Sequence, residues 1–202
     1  MKLPSSRVLE LIIAASVVVI SVASLFVALY QGRVMEQTMK ASVLPVIEYS
    51  TGNFDMESEE PRITMTLHNN GLGPAEVREV IFRYNGEEFT SPGHLVSVCC
   101  VANAASPQEA SAYLQDIQMP VITSNLRGRV MTQGQELLML AVPGYSNEGA
   151  RGEVYRTLDD ARFEVEVEIC YCSVFDDCWR SRYPDAERWE VASCIRRRPQ
   201  DG

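Results

Sequence analysis

The chain has 202 residues, 46% of them hydrophobic and 22% charged, which fits one globular domain with a short additional segment rather than a disordered chain. Residues 1–33 carry Lys2, Arg7 and Arg33 against Glu10, leaving 15 of the chain's 18 basic and 26 of its 27 acidic side chains to the rest, a net charge of −11. A surface this acidic repels nucleic-acid phosphates and anionic lipid headgroups, so we expect neither nucleic-acid binding nor adsorption flat on a membrane.

An uninterrupted apolar segment lies near the N-terminus. From Leu11 to Gly32 there are 22 residues without Asp, Glu, Lys or Arg. As an α-helix rising about 1.5 Å per residue, they extend roughly 33 Å, enough to cross a hydrocarbon core of about 30 Å. Only three serines interrupt the apolar residues before Tyr30, so the segment lacks the polar stripe of a core helix. We predict a transmembrane helix over residues 11–32, preceded by a cytoplasmic N-terminus of residues 1–10.

A cleaved signal peptide is the competing interpretation of this segment. Residues 1–7 would form its positively charged start, and Ser21-Val22-Ala23 is a small-x-small cleavage site. The apolar run, however, continues past that site to Tyr30, and no cysteine lies nearby to carry a lipid anchor. We therefore expect the helix to be retained.

The charges on the two sides of the helix predict its orientation. The N-terminal amine, Lys2 and Arg7 lie on one side, and Arg33 with nearby Glu36 lies on the other. Because positive charge favours the cytosolic side, we expect the N-terminus inside and the remaining domain outside the cytosol. In a bacterium, this places the helix in the inner membrane and the domain in the periplasm.

The rest of the chain predicts a mainly β fold. Residues 33–45 are expected to form a helical stalk that ends at Pro45. Residues 46–195 show short strands with turn residues between them, which is typical of a β-sandwich, and one short helix at Pro107–Gln115. Residues 196–202 form a basic tail. The predicted strands are Val46–Ser50, Arg62–Asn69, Val77–Tyr84, Glu88–Thr90, Arg129–Thr132, Glu136–Val142, Arg162–Phe175 and Trp189–Cys194.

One turn and its surroundings resemble a known group of proteins. The turn lies in the segment Leu67–Ala75, where glycines allow positive φ and a proline fixes the entry to the next strand. Together with residues 29–31 and 40–45, it is similar to uncharacterised bacterial single-pass membrane proteins with an extracytoplasmic Ig-like β-sandwich domain. The similarity extends to about residue 90 and implies an anchored extracytoplasmic sandwich, without any activity or catalytic residue. The turn motif consists of Asn70, Gly71, Gly73 and Pro74.

Six cysteines lie outside the apolar segment: Cys99, Cys100, Cys170, Cys172, Cys178 and Cys194. An even number in an oxidising compartment predicts disulfide bridges. A bridge between adjacent residues distorts the peptide that joins them, so Cys99 and Cys100 are expected to have separate partners. The sequence therefore predicts a sandwich that disulfides staple together.

The predicted strand Arg162–Phe175 places Cys170 and Cys172 on one face, because side chains alternate along a strand. Another segment has to cover that face, and we predict that it brings partner sulfurs from among the other four cysteines, with a direct Cys172–Cys178 bridge also possible. Trp179 is expected to shield a disulfide. The acids on the same face, Glu164, Glu166 and Glu168, are expected to be solvated. The inward-facing set is expected to be Phe163, Val165, Val167, Ile169, Tyr171 and Phe175.

A soft-metal site is the main alternative for the cysteines. Thiolates of Cys170, Cys172 and Cys178 would be ligands for Zn²⁺ or Cu⁺, with Cys99 and Cys100 as further candidates. The spacing is not that of a familiar zinc module, and no Cys-x-x-Cys indicates a redox pair. We therefore expect disulfides without a metal or cofactor, and keep a thiol-redox or soft-metal protein as the alternative function.

No catalytic constellation can be assembled from the sequence. His68 falls on the polar face of a strand and His94 in a Pro-Gly turn, and neither belongs to a nucleophile–base motif. The acidic pairs at 159–160 and 176–177 lack the ligand spacing of a calcium loop. We expect a non-enzymatic, membrane-anchored interaction or structural module whose partner is another envelope protein.

Overall fold

The structure is a computed structural model, and it describes residues 6–101, 104, 106–144 and 149–194. The chain divides into two compact units, Met1–Ser42 and Val43–Gly202. The predicted basic tail at 196–202 lies outside the described residues, as do residues 1–5 of the predicted cytoplasmic segment.

The first unit contains one long helix. Helix α1 spans Ser6–Ser42, so it includes the predicted transmembrane segment and most of the predicted stalk. The last three residues of that stalk are not helical. The helix is long and apolar enough to cross a membrane, and its apolar side chains are exposed. The hydroxyls of Ser16, Ser21 and Ser24 donate to carbonyls four residues earlier, each at 2.8 Å, so these polar groups are satisfied within the helix itself.

The second unit contains ten strands and three further helices within its described residues. The helices are α2 (Pro92–Cys100), α3 (Pro107–Asp116) and α4 (Gly149–Ala161). The strands are β1 (Ile47–Asp55), β2 (Glu60–Asn69), β3 (Ala75–Tyr84), β4 (Glu87–Phe89), β5 (Ile122–Thr123), β6 (Arg129–Met131), β7 (Glu136–Pro143), β8 (Glu166–Cys172), β9 (Cys178–Tyr183) and β10 (Glu187–Val191).

The strands form two antiparallel sheets. The first has the order β1–β2–β7–β5, and the second has the order β10–β9–β8–β3–β4, with β6 also paired to β3. Side chains from both sheets belong to one buried core, among them Met65 and Leu140 from the first sheet and Phe82 and Val167 from the second. The prediction of an apolar helix followed by a two-sheet β domain is therefore confirmed at this level.

The expectation of a single short helix is wrong. Helix α3 forms as predicted, and its cap Ser106 accepts a hydrogen bond from the backbone N–H of Glu109 at 3.3 Å. Helix α4 also forms, burying residues 154, 158 and 161 at the spacing of one helix face. Helix α2 begins at Pro92, but its valines and cysteines are weak helix formers, so packing rather than propensity explains it.

The longest predicted strand is too long at both ends. Arg162 directly follows α4, and β8 begins only at Glu166. As a result Phe163 and Phe175, which were expected to point inward, are 64% and 42% exposed. Strand β9 was not predicted at all. The four inner residues that do reach the core are Val165, Val167, Ile169 and Tyr171.

A fully buried asparagine holds the turn between β2 and β3 together. The side-chain amide of Asn69 donates to the carbonyls of Gly73 at 2.8 Å and Met131 at 2.9 Å. Its side-chain oxygen accepts from the backbone N–H groups of Gly71 at 3.1 Å and Val46 at 3.4 Å. All polar atoms of this side chain are satisfied, as burial requires.

The turn motif binds the segment 43–46, which directly follows α1. The backbone N–H groups of residues 70 and 72 donate to the carbonyls of Val46 and Leu44, at 2.8 and 2.9 Å. The expectation of positive φ is wrong for Gly71 and Gly73, neither of which has it. These positions need glycine because of the close approach instead: a Cβ on Gly73 would lie 2.0 Å from the carbonyl oxygen of Val43. The motif therefore fixes the first residues of the second unit to its sheet.

We predict that Gly73→Ala lowers the free energy of unfolding by about 1–3 kcal/mol or more, because backbone atoms would have to move to admit the methyl group. Gly52→Ala is the matched control, since its Cβ would meet only the Thr64 hydroxyl oxygen at 3.6 Å. Urea unfolding of the detergent-solubilised full chain measures both. Equal unfolding midpoints for the two variants would contradict the close approach.

Candidate functional site

The candidate site lies on the side of β8 that points away from the core. The side chains at 167, 169 and 171 face the core, and those at 166, 168, 170 and 172 face the opposite way. Except for Glu166, these outward residues are buried too. Below, the outer face means this side of β8 together with the same side of its neighbours β3 and β9.

Four cysteines form one buried group on the outer face, called here the sulfur cluster. Cys170 is paired with Cys194, which follows β10, and Cys172 is paired with Cys178 at the start of β9. The two bridges are in contact, because the sulfurs of Cys172 and Cys194 are 3.6 Å apart. Val191 packs against the cluster. The β8–β9 hairpin and the segment after β10 thus cover this end of β8, and both bring sulfur atoms.

Cys99 and Cys100 are paired with each other. They end helix α2 and pack against the main core, whereas the sulfur cluster is a separate group on the outer face. The other four cysteines are all used in that cluster. The expectation of separate partners is therefore wrong, because a helix that was not predicted holds both residues away from the outer face.

Trp179 does not shield a disulfide. It follows Cys178 along β9 and therefore points to the opposite side, into the core, where its ring centroid is 6.1 Å from that of Tyr171. The expected shielding role is wrong because the sequence did not reveal β9 as a strand. Among the described residues, Val191 is the partly buried hydrophobic residue that packs on the bridges.

Beside the sulfur cluster, the outer face carries a network of ion pairs around Glu168. Its side chain is only 7% exposed and lies 3.1 Å from the guanidinium of Arg83 and 2.5 Å from that of Arg180. Arg83 also pairs with Glu166, and Arg180 pairs with Glu79 at 2.9 Å. The expectation of solvated acids is wrong for Glu168, because the two guanidinium groups replace water as its partners.

The ion pairs determine the charge of Glu168. Burial alone raises the pKa of its carboxyl, but hydrogen bonds from Arg83 and Arg180 outweigh burial, and the pKa lies below its ordinary value of 4.5. A carboxyl with a lowered pKa stabilises the folded state above its unfolded pKa, and this stabilisation is lost as the pH falls through the folded pKa. The network therefore stabilises the domain at neutral pH and loses that effect in acid.

We predict that Glu168→Ala lowers the free energy of unfolding at pH 7 by about 3 kcal/mol, the lower end of the range for breaking a buried ion pair. The lower end applies because Arg83 and Arg180 keep Glu166 and Glu79 as partners. Glu187→Ala, on the exposed part of β10, is the control. Urea unfolding should show the difference from wild type shrinking as the pH falls through the carboxyl range. Equal losses for the two variants, or a difference that does not change with pH, would refute the role of the network.

An open cleft of about 1040 Å³ lies beside the sulfur cluster. Cys172, Cys178 and Cys194 line it, whereas Cys170 does not and is 0% exposed. Its other walls come from β3, the start of α2 and the loop at 124–128. The charged residues in its lining are Glu76, Arg78, Glu79, Arg127 and Asp176. An external molecule in this cleft would therefore meet both signs of charge and one complete disulfide.

Comparison with known proteins gives no match. No protein-family model matches the chain. No curated protein and no solved structure matches it either. The chemistry of the outer face and of helix α1 therefore carries the functional interpretation.

Three sulfurs of the cluster are close enough together to hold a metal ion. Those of Cys172, Cys178 and Cys194 lie within 4.8 Å of one another. The alternative ligand set expected from the sequence contained Cys170 in place of Cys194. Because the ligand for Zn²⁺ or Cu⁺ is a thiolate, such an ion would bind only after both bridges had been reduced.

The histidines occupy structural positions. His68 lies 2.9 Å from the Thr66 hydroxyl and 4.0 Å from the carboxylate of Glu136, and Thr66 is buried at 5% exposure. His94 belongs to the first turn of α2 rather than to an isolated turn, and it stacks on Phe89 with ring centroids 5.1 Å apart.

The arginines of the outer face were missed in the sequence, although a signal for two of them was present. Arg180 and Arg182 alternate with Trp179 and Ser181, which is the period of a strand. In the sheet, Arg182 on β9 lies directly opposite Glu168 on β8, so side chains of opposite charge are cross-strand neighbours there. The loop at 124–128, which lines the cleft, has no comparable signal.

Proposed function

We propose that this chain is an interaction module anchored in the bacterial inner membrane, with its N-terminus in the cytosol and an Ig-like sandwich domain in the periplasm. The observation that carries the proposal is helix α1, which has the length and composition of a membrane span and exposed apolar side chains. Such a surface is stable in lipid and unfavourable in water. The paired cysteines add support, because disulfides persist in oxidising compartments.

The proposed partner is a segment of another envelope protein that binds in the cleft. The bridges and ion pairs hold β3, β8 and β9 together beneath it, so the surface is organised before binding. The neighbouring β8–β9 loop exposes Val174 and Phe175, directly before the cleft residue Asp176. An apolar pair beside mixed charges offers both the burial and the polar contacts of a protein interface.

A second candidate function uses the sulfur cluster itself. The contact of 3.6 Å between sulfurs of two different bridges, beside an open cleft, favours thiol–disulfide exchange. The soft-metal alternative would require both bridges to be reduced, whereas exchange requires only one of them to be opened.

A photo-crosslinking side chain at position 127, in the cleft, should capture a recurring envelope protein when the full chain is expressed in its native membrane. Position 60, exposed at the start of β2 in the other sheet, is the matched control and should give no such adduct. We expect this difference in crosslinking because position 127 lines the cleft, whereas position 60 belongs to the other sheet.

The orientation of the chain in the membrane is tested in spheroplasts of the same cells. Protease added to spheroplasts should degrade the β domain and any adduct while a fragment containing α1 survives. Adducts at position 60 as abundant as those at 127, or recovery of the uncrosslinked chain alone, would contradict the interaction. A domain protected until lysis, or a mature chain that begins after Ala23, would contradict the proposed topology.

A further inference from the structure

The four sulfurs of the sulfur cluster differ in access. Both members of the Cys172–Cys178 bridge line the open cleft, with Cys178 7% and Cys172 3% exposed, so an external thiol in the cleft would meet this bridge at Cys178 first. Only one member of the Cys170–Cys194 bridge lines it, and Cys170 is 0% exposed. The cluster therefore combines one bridge that has both residues in the cleft wall with one that has only Cys194 there.

The two bridges are also within reach of each other. The sulfur of Cys172 lies 3.6 Å from that of Cys194, about the distance at which two sulfur atoms are in van der Waals contact. Disulfide exchange proceeds by attack of a thiolate on a disulfide sulfur. A thiolate released at Cys172 would thus already touch the sulfur that it has to attack.

We propose that the sulfur cluster is a two-bridge relay that oxidises an external dithiol and then moves the resulting thiol inward from Cys172 to Cys170. This deepens the second candidate function, and it rests on the proposed location, since the bridges must first form in an oxidising compartment. The chemical class of the substrate is a peptide or protein segment with two neighbouring thiols that enters the cleft.

The reaction begins at Cys178. A substrate thiolate attacks its sulfur, which forms a mixed disulfide and releases Cys172 as a thiolate. The second substrate thiolate then attacks the substrate sulfur of the mixed disulfide, forms the substrate disulfide and releases Cys178. The substrate loses two electrons and two protons, and the protein gains two thiols in place of one bridge.

The relay step follows without any further reagent. The Cys172 thiolate attacks the sulfur of Cys194, the Cys170–Cys194 bond breaks, and Cys170 leaves as a thiolate that takes up a proton. No net electrons are transferred in this step, because one bridge replaces another. Cys170 lies opposite Arg180 on β9 and opposite Glu79 on β3, and these two side chains pair with each other at 2.9 Å, so the leaving thiolate is flanked by an ion pair. The product holds a Cys172–Cys194 bridge, a buried thiol at Cys170 and a cleft-lining thiol at Cys178.

The test is limited reduction of the full chain in detergent. Dithiothreitol, a small dithiol, is added below one equivalent, free thiols are trapped with excess N-ethylmaleimide, and bridged and labelled peptides are mapped by mass spectrometry. In the species that has lost one outer-face bridge, we expect label on Cys170 and Cys178 and a peptide joined through Cys172 and Cys194. Label on Cys99 and Cys100 is counted separately, because that bridge belongs to another group.

Two results would overturn the relay. One is a singly reduced species labelled at Cys172 and Cys178, with Cys170–Cys194 intact and Cys170 at background. The other is loss of both outer-face bridges together, without a singly reduced species. If the chain is isolated with its bridges intact but shows either result, the relay fails while the proposed location stands.

A pair of cysteine variants tests the relay independently. In Cys178→Ser, Cys172 has no partner of its own, so a Cys172–Cys194 bridge and label on Cys170 are expected without any reductant. In the matched Cys172→Ser variant, the label is expected on Cys178 with Cys170–Cys194 intact. Label confined to Cys172 in Cys178→Ser would count against the relay, and the wild-type experiment decides if either variant fails to fold.

Discussion

The β domain depends on one constraint, which is that strand β8 is buried on both of its faces. Its inner side chains complete the core between the two sheets. Its outer side chains include a carboxylate and two cysteines, and a buried carboxylate is costly unless cations take the place of water. Arg83 and Arg180 supply those cations, and the hairpin to β9 together with the segment after β10 supplies the covering sulfurs.

The elements that cover β8 are also those that shape the cleft. The β8–β9 hairpin contributes Asp176 and Cys178 to its lining, β3 contributes Glu79, and the segment after β10 contributes Cys194. Glu79 is held by Arg180, which in turn holds Glu168, so the cleft wall and the buried carboxylate share one network. Stability and binding surface are therefore coupled on this face, and opening a bridge would alter both.

Sequence patterns predict the parts of this fold that are governed by one hydrophobic pattern or by a local capping or turn motif. The apolar length of α1, the alternation in β2 and the cap of α3 are of this kind. The Asn85-Gly86 turn between β3 and β4 is another, with both residues at positive φ. Helix α2 and the pairing of Cys99 with Cys100 depend instead on tertiary packing of weak helix formers. The burial of Glu168 depends on which strand pairs with β8 and in which register. The sequence does not predict that pairing unless β9 is first identified as a strand.

The covering of β8 is tested most directly by mapping disulfides in the full chain isolated from bacterial membranes, with thiols blocked at lysis. Peptides joining Cys170 to Cys194 and Cys172 to Cys178 are expected, with none of these four residues carrying the blocking label. Both bridges would then have formed outside the reducing cytosol. Labelled thiols at Cys170 and Cys172 in the freshly isolated chain would contradict this structure of the outer face, because the end of β8 would then lack the sulfur atoms that cover it.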